Sequence, residues 1–197
     1  MKKQLFITGF EPFGGESINP SWEAVQRLPD DIGSFHLTKL QIPVEYGNAA
    51  NIVIENGLIC KADVILCVGQ AGKRAGVTPE AVAINLRDAA TPDNAGILQQ
   101  NVPVIPGGPD AYFATVNVRK MVEAMQAKNI PASLSLSAGA YVCNDVLYTL
   151  LHRFHGTNTK VGFIHVPYLP EQAKEGIASL TLNQITDALV AAIQAIS

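Results

Sequence analysis

The chain has 197 residues, 48% of them hydrophobic and only 16% charged, with a formal net charge of −3. That length suits one domain burying roughly 70% of the surface its unfolded form exposes, and the apolar balance implies further surface covered in an oligomer. The weakly acidic charge excludes a basic footprint for nucleic acid or an anionic membrane.

No segment has the length of a transmembrane helix. Met1-Lys2-Lys3 resembles the start of a signal peptide, but the apolar run stops at Thr8-Gly9, so the cytoplasm is the expected compartment. Three cysteines form neither a disulfide framework nor a metal-binding spacing.

Leu5-Phe6-Ile7-Thr8 reads as a short buried strand ending at Gly9. After the loop Gly9-Phe10-Glu11-Pro12-Phe13-Gly14-Gly15, a helix opens at Asn19-Pro20-Ser21-Trp22, with Asn19 suited to cap it and Pro20 to its first turn. Such a loop raises phosphate binding, yet it holds no Gly-Lys-Ser/Thr and no correctly spaced three-glycine fingerprint. Phe10 and Phe13 have two readings: a staple onto the following helix, or an apolar slot facing a site at the sheet's carboxyl edge. Residues 35–41 read as a second strand and 45–56 as a helix stopped at Gly57. Val64-Ile65-Leu66-Cys67-Val68 is the continuous apolar run of a strand covered on both faces. Cys60 and Cys67 lie in apolar contexts with no base nearby and read as structural. Gly69 to Gly76 is a second glycine-rich loop, whose Lys73 and Arg74 either hold an anion or are solvated.

Thr78-Pro79-Glu80 leads into a predicted strand over residues 81–85, and Glu80 alone reads as a surface carboxylate as easily as a functional one. Residues 87–109 carry many Pro, Gly, Asp and Asn, which implies a lid, a binding loop or a subunit contact. Residues 115–128 form an amphipathic helix with Val118, Met121, Val122 and Met125 on one face. Over residues 132–137 Ala and Leu alternate with Ser, the period of a strand. Ala138-Gly139-Ala140 then permits a tight turn, and Val146, Leu147, Leu150 and Leu151 set a helix over residues 144–153.

Cys143 thus falls at a strand-turn-helix junction. Unpaired N–H groups and the helix dipole there are expected to lower a thiol from about 8.5 toward neutrality. That makes Cys143 a candidate nucleophile, against the plainer reading of a buried space-filler. The last strand, residues 160–167, carries His165 near its carboxyl end, either as a core histidine or as a base. His152 and His155 lack a third ligand and read as a solvated helix end rather than a metal pair; His36 begins a strand. A final helix spans residues 177–196.

Strands alternating with helices imply an α/β domain over residues 1–197: a mostly parallel, mixed sheet with helices on both faces and active residues at the strand carboxyl ends. The two glycine-rich loops, Glu80, Cys143 and His165 can then gather at one edge as a Cys-His-Glu constellation. Ser137 lacks the first glycine of a nucleophile elbow.

Four ordered motifs carry a resemblance: Thr8-Gly9-Phe10-Glu11-Pro12-Phe13-Gly14, Gly69-Gln70 through Thr78-Pro79-Glu80, Ser137-Ala138-Gly139 through Cys143-Asn144, and His165-Val166-Pro167. The chain closely resembles the pyroglutamyl peptidase type I family over almost its whole length. The resemblance implies a cytoplasmic cysteine peptidase of α/β/α architecture, often tetrameric, that removes an N-terminal pyroglutamyl residue from peptides without metal or organic cofactor. By it Cys143 is the nucleophile, His165 the base and Glu80 the third member. Phe10, Phe13, Gln70, Tyr141 and Val142 line the ring pocket. Two positions depart from the family pattern: Ala81 stands where a basic residue commonly follows the glutamate, and Asp88-Ala89-Ala90 stands for Asp-Ala-Arg. Two other classes remain open: a phosphate- or nucleoside-binding, phosphorylase-like protein using residues 69–76 as an anion loop, and a pyroglutamyl-binding protein without turnover.

Overall fold

The computed structural model describes residues 2–196. Its elements in chain order are β1 (Lys3–Phe10), α1 (Pro20–Arg27), β2 (Asp31–Ile32), β3 (Phe35–Ile42), α2 (Asn48–Ile59), β4 (Val64–Gln70), β5 (Thr78–Pro79), β6 (Val82–Ile84), β7 (Ala111–Phe113), α3 (Val118–Gln126), α4 (Val142–Arg153), β8 (Lys160–Val166) and α5 (Leu182–Gln194). The main sheet runs β2-β3-β1-β4-β8-β5. Its four long strands are parallel and the two short edge strands antiparallel.

The apolar runs of β1, β4 and β8 are buried on both faces, as parallel strands covered by helices must be. One core packs α1, α3 and α5 against the sheet through Val25, Met121, Met125, Ile185 and Leu189. The other packs α2 and α4 through Val53, Val146, Leu147 and Leu150 against Phe6, Ile65 and Phe163. The result is a three-layer α/β/α sandwich around a mostly parallel, mixed sheet. Among the described residues no helix is long and apolar enough to cross a membrane.

Several predicted elements differ in extent, each for a local reason. α1 starts as expected, with Asn19 accepting from Ser21 N and Pro20 in its first turn. α2 begins at Asn48 rather than 45, because Gly47 takes φ 70°, outside the helical region. α3 begins at Val118, since Thr115 is already engaged with Val161 on β8. α5 begins at Leu182, after a capping box formed by Thr181 and Gln184. The strand expected over residues 81–85 is shorter and leaves the main sheet, pairing with the distant β7 in a separate two-stranded antiparallel sheet. The alternating stretch at 132–137 is extended but joins the edge through two bridges, Val77 with Ala132 and Glu80 with Ser135.

Candidate active site

Three loops leave the carboxyl edge at β1, β4 and β8, and a fourth segment brings in α4. β1 can approach α1 closely only because residue 9 is glycine: a Cβ there would lie 2.6 Å from the Trp22 backbone. Ser21 Oγ accepts the Phe10 N–H at 2.9 Å, tying the end of β1 to the start of α1. Phe10 itself is buried in the core shared with α2 and α4, and Phe13 packs against that same core. Their side chains therefore point away from α1, and the staple reading is set aside.

Cys143 is the second residue of α4, whose cap residue Tyr141 makes no side-chain capping bond. The first-turn N–H groups are thus left without a side-chain acceptor. A Cβ on Gly69 would sit 2.9 Å from Cys143 Sγ and 2.8 Å from the Phe163 ring, so only glycine lets the sulfur lie over β4. Gly69 is the register partner of His165 on β8, which sets the cysteine beside the histidine strand. His165 is buried, and its Nδ1 lies 2.7 Å from Glu80 Oε1. Glu80 is fully buried; its Oε1 also accepts Arg74 at 2.5 Å, while Oε2 has no hydrogen-bond partner among the described residues.

The thiol differs from its expectation. Burial, and then the Glu80 charge, push Cys143 up to about 12. A partly buried helix start is worth up to about 2 kcal/mol, roughly one and a half pKa units. Burial can shift an ionisable group by about 3–5 units, so desolvation wins. Burial also lowers His165, partly offset by its bond to Glu80. Both directions favour the neutral forms, thiol and neutral imidazole, over a thiolate and an imidazolium. Cys67 is fully buried and pushed to about 12, and Cys60 is raised by burial.

A small cavity is lined by Phe10, Phe13, Asn19, Val44, Gln70, Tyr141 and Cys143 and measures about 40 Å³. That is room for about three waters, the size of one small ring. The Phe13 and Tyr141 rings lie 6.4 Å apart at one side. Asn19 lines the cavity but spends its amide on Ser21 N and on the Glu11 carbonyl. Gln70 is the other amide of the cavity, with Oε1 held by Gln172 at 3.3 Å. Val142 is fully buried in the core and is not among the lining residues. Asn19 and Val44 went unassigned in sequence; Asn19 read only as a cap, and Val44 lies in a turn without periodicity.

The irregular segment 87–109 borders this cavity. Tyr141 donates its hydroxyl to the Pro92 carbonyl at 2.9 Å, and Asn94 donates to Glu11 at 2.7 Å and to Pro12 O at 3.0 Å. Asp93 holds it from within, accepting from Tyr46, Ala95 and Ile97 N–H groups. At the departing positions, Ala90 is exposed close to Pro92, and Ala81 pairs its N–H with Ser135 O at 2.8 Å.

Arg74 also departs from expectation. Instead of being solvated or open to an anion, it turns inward to Glu80, the Thr78 hydroxyl and the Ser137 carbonyl. Its geometry does not favour the anion-loop reading, because the fork is occupied by protein acceptors. His152 lies exposed at the end of α4, with its Nδ1 2.9 Å from the Tyr112 hydroxyl.

Asn144 is fully buried and bonds both the N–H and C=O of Ile84 and the C=O of Leu86, fastening α4 to β6. Asn144→Ala leaves three backbone groups unpaired and is expected to cost about 2 kcal/mol of stability. The urea midpoint measures this; a shift worth under roughly 0.5 kcal/mol would mean that the fastening is not needed.

Comparison with known proteins identifies the family. The family model described as pyroglutamyl peptidase matches residues 3–197. The pyrrolidone-carboxylate peptidase of Thermosipho africanus is 46% identical over 197 residues, covering 98% of this chain and 96% of that one. That of Thermococcus onnurineus is 48% identical over 172 residues, 86% of each chain. The crystal structure of Bacillus amyloliquefaciens pyroglutamyl peptidase I superposes with a TM-score of 0.95 at 41% identity, covering 99% of this chain and 97% of that chain. A match along the full length, in sequence and in fold together, means that the chain belongs to the pyroglutamyl peptidase family.

Proposed function

We propose that this chain, as one peptidase domain over residues 1–197, removes an N-terminal pyroglutamyl residue from peptides through a Cys143-His165-Glu80 triad. The reading is carried by the buried His165–Glu80 contact of 2.7 Å, beside a cysteine at an uncapped helix start that opens into a ring-sized cavity.

His165, with Nδ1 held by Glu80, takes the Cys143 proton as sulfur attacks the pyroglutamyl carbonyl. Glu80 fixes the tautomer and stabilises the imidazolium as it forms. The raised thiol and lowered imidazole favour transfer during attack over a standing ion pair. First-turn N–H groups of α4 meet the developing oxyanion, each such donor worth roughly 10²–10³ in rate. The imidazolium then protonates the departing amine, and water cleaves the thioester. No step calls for a metal or cofactor.

Selectivity is assigned to the ring slot. Pyroglutamate is a neutral lactam with one N–H donor and one C=O acceptor on a flat five-membered ring. Phe10 and Phe13 cover the ring, while Gln70 and backbone groups meet its polar edge. Proline has the same shape but carries a charged ring nitrogen and no lactam carbonyl. It therefore brings a cation into an apolar slot and leaves polar partners unpaired. Pyroglutamyl amides are expected to be cleaved, and to lose activity on thiol alkylation, with prolyl and glutamyl amides disfavoured by roughly 10⁴-fold in kcat/KM. Fluorogenic amides of the three acids measure this. Equal use of prolyl and pyroglutamyl substrates would sink the pocket assignment; no cleavage of the pyroglutamyl amide would sink the function.

The cytoplasm suits a catalytic thiol, because its thiols are kept reduced. A homo-oligomer, with a tetramer as the specific proposal, is supported by exposed apolar side chains on β7 and the long segment, where Phe113 is 75% and Leu98 48% exposed. Light scattering should find a species heavier than the 21.0 kDa chain; a monomer at working concentration rejects the proposal.

A further inference from the structure

Arg74 stands in the loop after β4 and reaches two separate segments of the site, residues 78–80 and Ser137. One nitrogen bonds Glu80 Oε1 at 2.5 Å and also the Thr78 hydroxyl. The other donates to the Ser137 carbonyl at 2.8 Å. Ser137 immediately precedes Ala138-Gly139-Ala140, the turn that delivers Cys143 to the start of α4. Oε1 is the same oxygen that lies 2.7 Å from His165 Nδ1, so one carboxylate oxygen serves both partners. Ser137 and Arg74 are 63 positions apart in the chain, and Glu80 and His165 are 85 apart. A rigid planar fork is the side chain that can hold such segments in one geometry; an ammonium is a point charge with no fixed directions.

We propose that Arg74 is a positioning residue for this reaction, its guanidinium locking Glu80, and through it His165, to the segment that presents Cys143. The inference rests on the peptidase reading above. Arg74 has two separable effects. Its fork sets the distance between the acid–base pair and the nucleophile. Its charge balances Glu80, so that the carboxylate does not hold a proton on the imidazole. The charged groups that bear on His165 are Glu80 from the segment after β5 and Arg74 from the loop after β4; the titratable Cys143 thiol from α4 lies over Gly69, the register partner of His165. Removing the Arg74 charge leaves Glu80 unopposed beside His165. The imidazole then holds its proton to higher pH, and the acid side of the activity profile moves upward.

The test is steady-state kinetics on a pyroglutamyl fluorogenic amide for the wild type, Arg74→Ala and Arg74→Lys across pH, with thermal melts for all three. Arg74→Ala is expected to lose roughly 10²-fold in kcat, the cost of a small misplacement of reacting groups, with KM little changed. Its acid limb should shift to higher pH. Arg74→Lys should restore the position of that limb but only part of kcat. Added guanidinium should recover part of the Arg74→Ala loss, because Arg74 is 26% exposed and borders an open groove of about 480 Å³.

A variant with wild-type kcat and an unmoved limb overturns the proposal. So does a loss of activity that tracks a lowered melting temperature and answers to neither lysine nor guanidinium, since that is a structural role only. An inactive wild type would instead reject the peptidase reading, independently of Arg74.

Discussion

Cys143→Ala should lose essentially all turnover, on the order of 10⁶-fold, the scale on which a triad hydrolase responds to loss of its nucleophile. Cys60→Ala and Cys67→Ala should stay active, because neither thiol reaches the cavity that Cys143 lines. Cys67 is fully buried, and burial disfavours its thiolate. Cys60 is only partly buried but bonds its own helix at Gly57 O, at the opposite end of α2 from the cavity. Brief iodoacetamide treatment followed by peptide mass spectrometry separates the three thiols. Because Cys143 rests protonated, its labelling should depend on His165 as an internal base, and His165→Ala should slow it. Full activity after complete modification of Cys143 would end the cysteine-peptidase reading.

The second large effect separates the base from its partner. His165→Ala should fall on the order of 10⁶-fold, since in a triad the base is as indispensable as the nucleophile. Glu80→Gln should cost less, roughly 10⁴-fold, because an amide can keep the geometry while favouring the wrong tautomer. The pH profile follows from the same contact. Burial lowers His165 from its ordinary 6.5, and the base must be neutral to accept the thiol proton. Activity should therefore rise as pH is raised through a value below 6.5 and be level at neutral pH. An acid limb centred above that ordinary value, or Glu80→Gln behaving as wild type, would mean that the dyad is misassigned.

Much of the architecture was legible locally. The continuous apolar run of β4 announced a doubly covered strand, because residues buried on both faces need no alternation, and β1 and β8 were legible as strands. Asn19-Pro20 marked the start of α1, where capping depends on neighbours one or two residues away. The helix ends were less legible wherever a distant partner decided them, as Val161 does for Thr115. The β6–β7 pairing was missed because its second strand has only three residues, too few for a period to show.

For the site, the sequence by itself put Cys143 at a helix start, from the period of the flanking residues, and His165 near the carboxyl end of the last strand. It also raised Phe10 and Phe13 as a slot or a staple without deciding between them. Only the tertiary structure decided the face: both phenylalanines pack with α2 and α4, across the sheet from α1. Only it turned Arg74 inward, because the acceptors that outcompete water lie six positions away at Glu80 and 63 away at Ser137. And only it reversed the shift of the Cys143 thiol. A helix terminus is a local feature that can be read from neighbouring residues. Desolvation is set by every segment that folds over the group, and at this sulfur it is the larger effect.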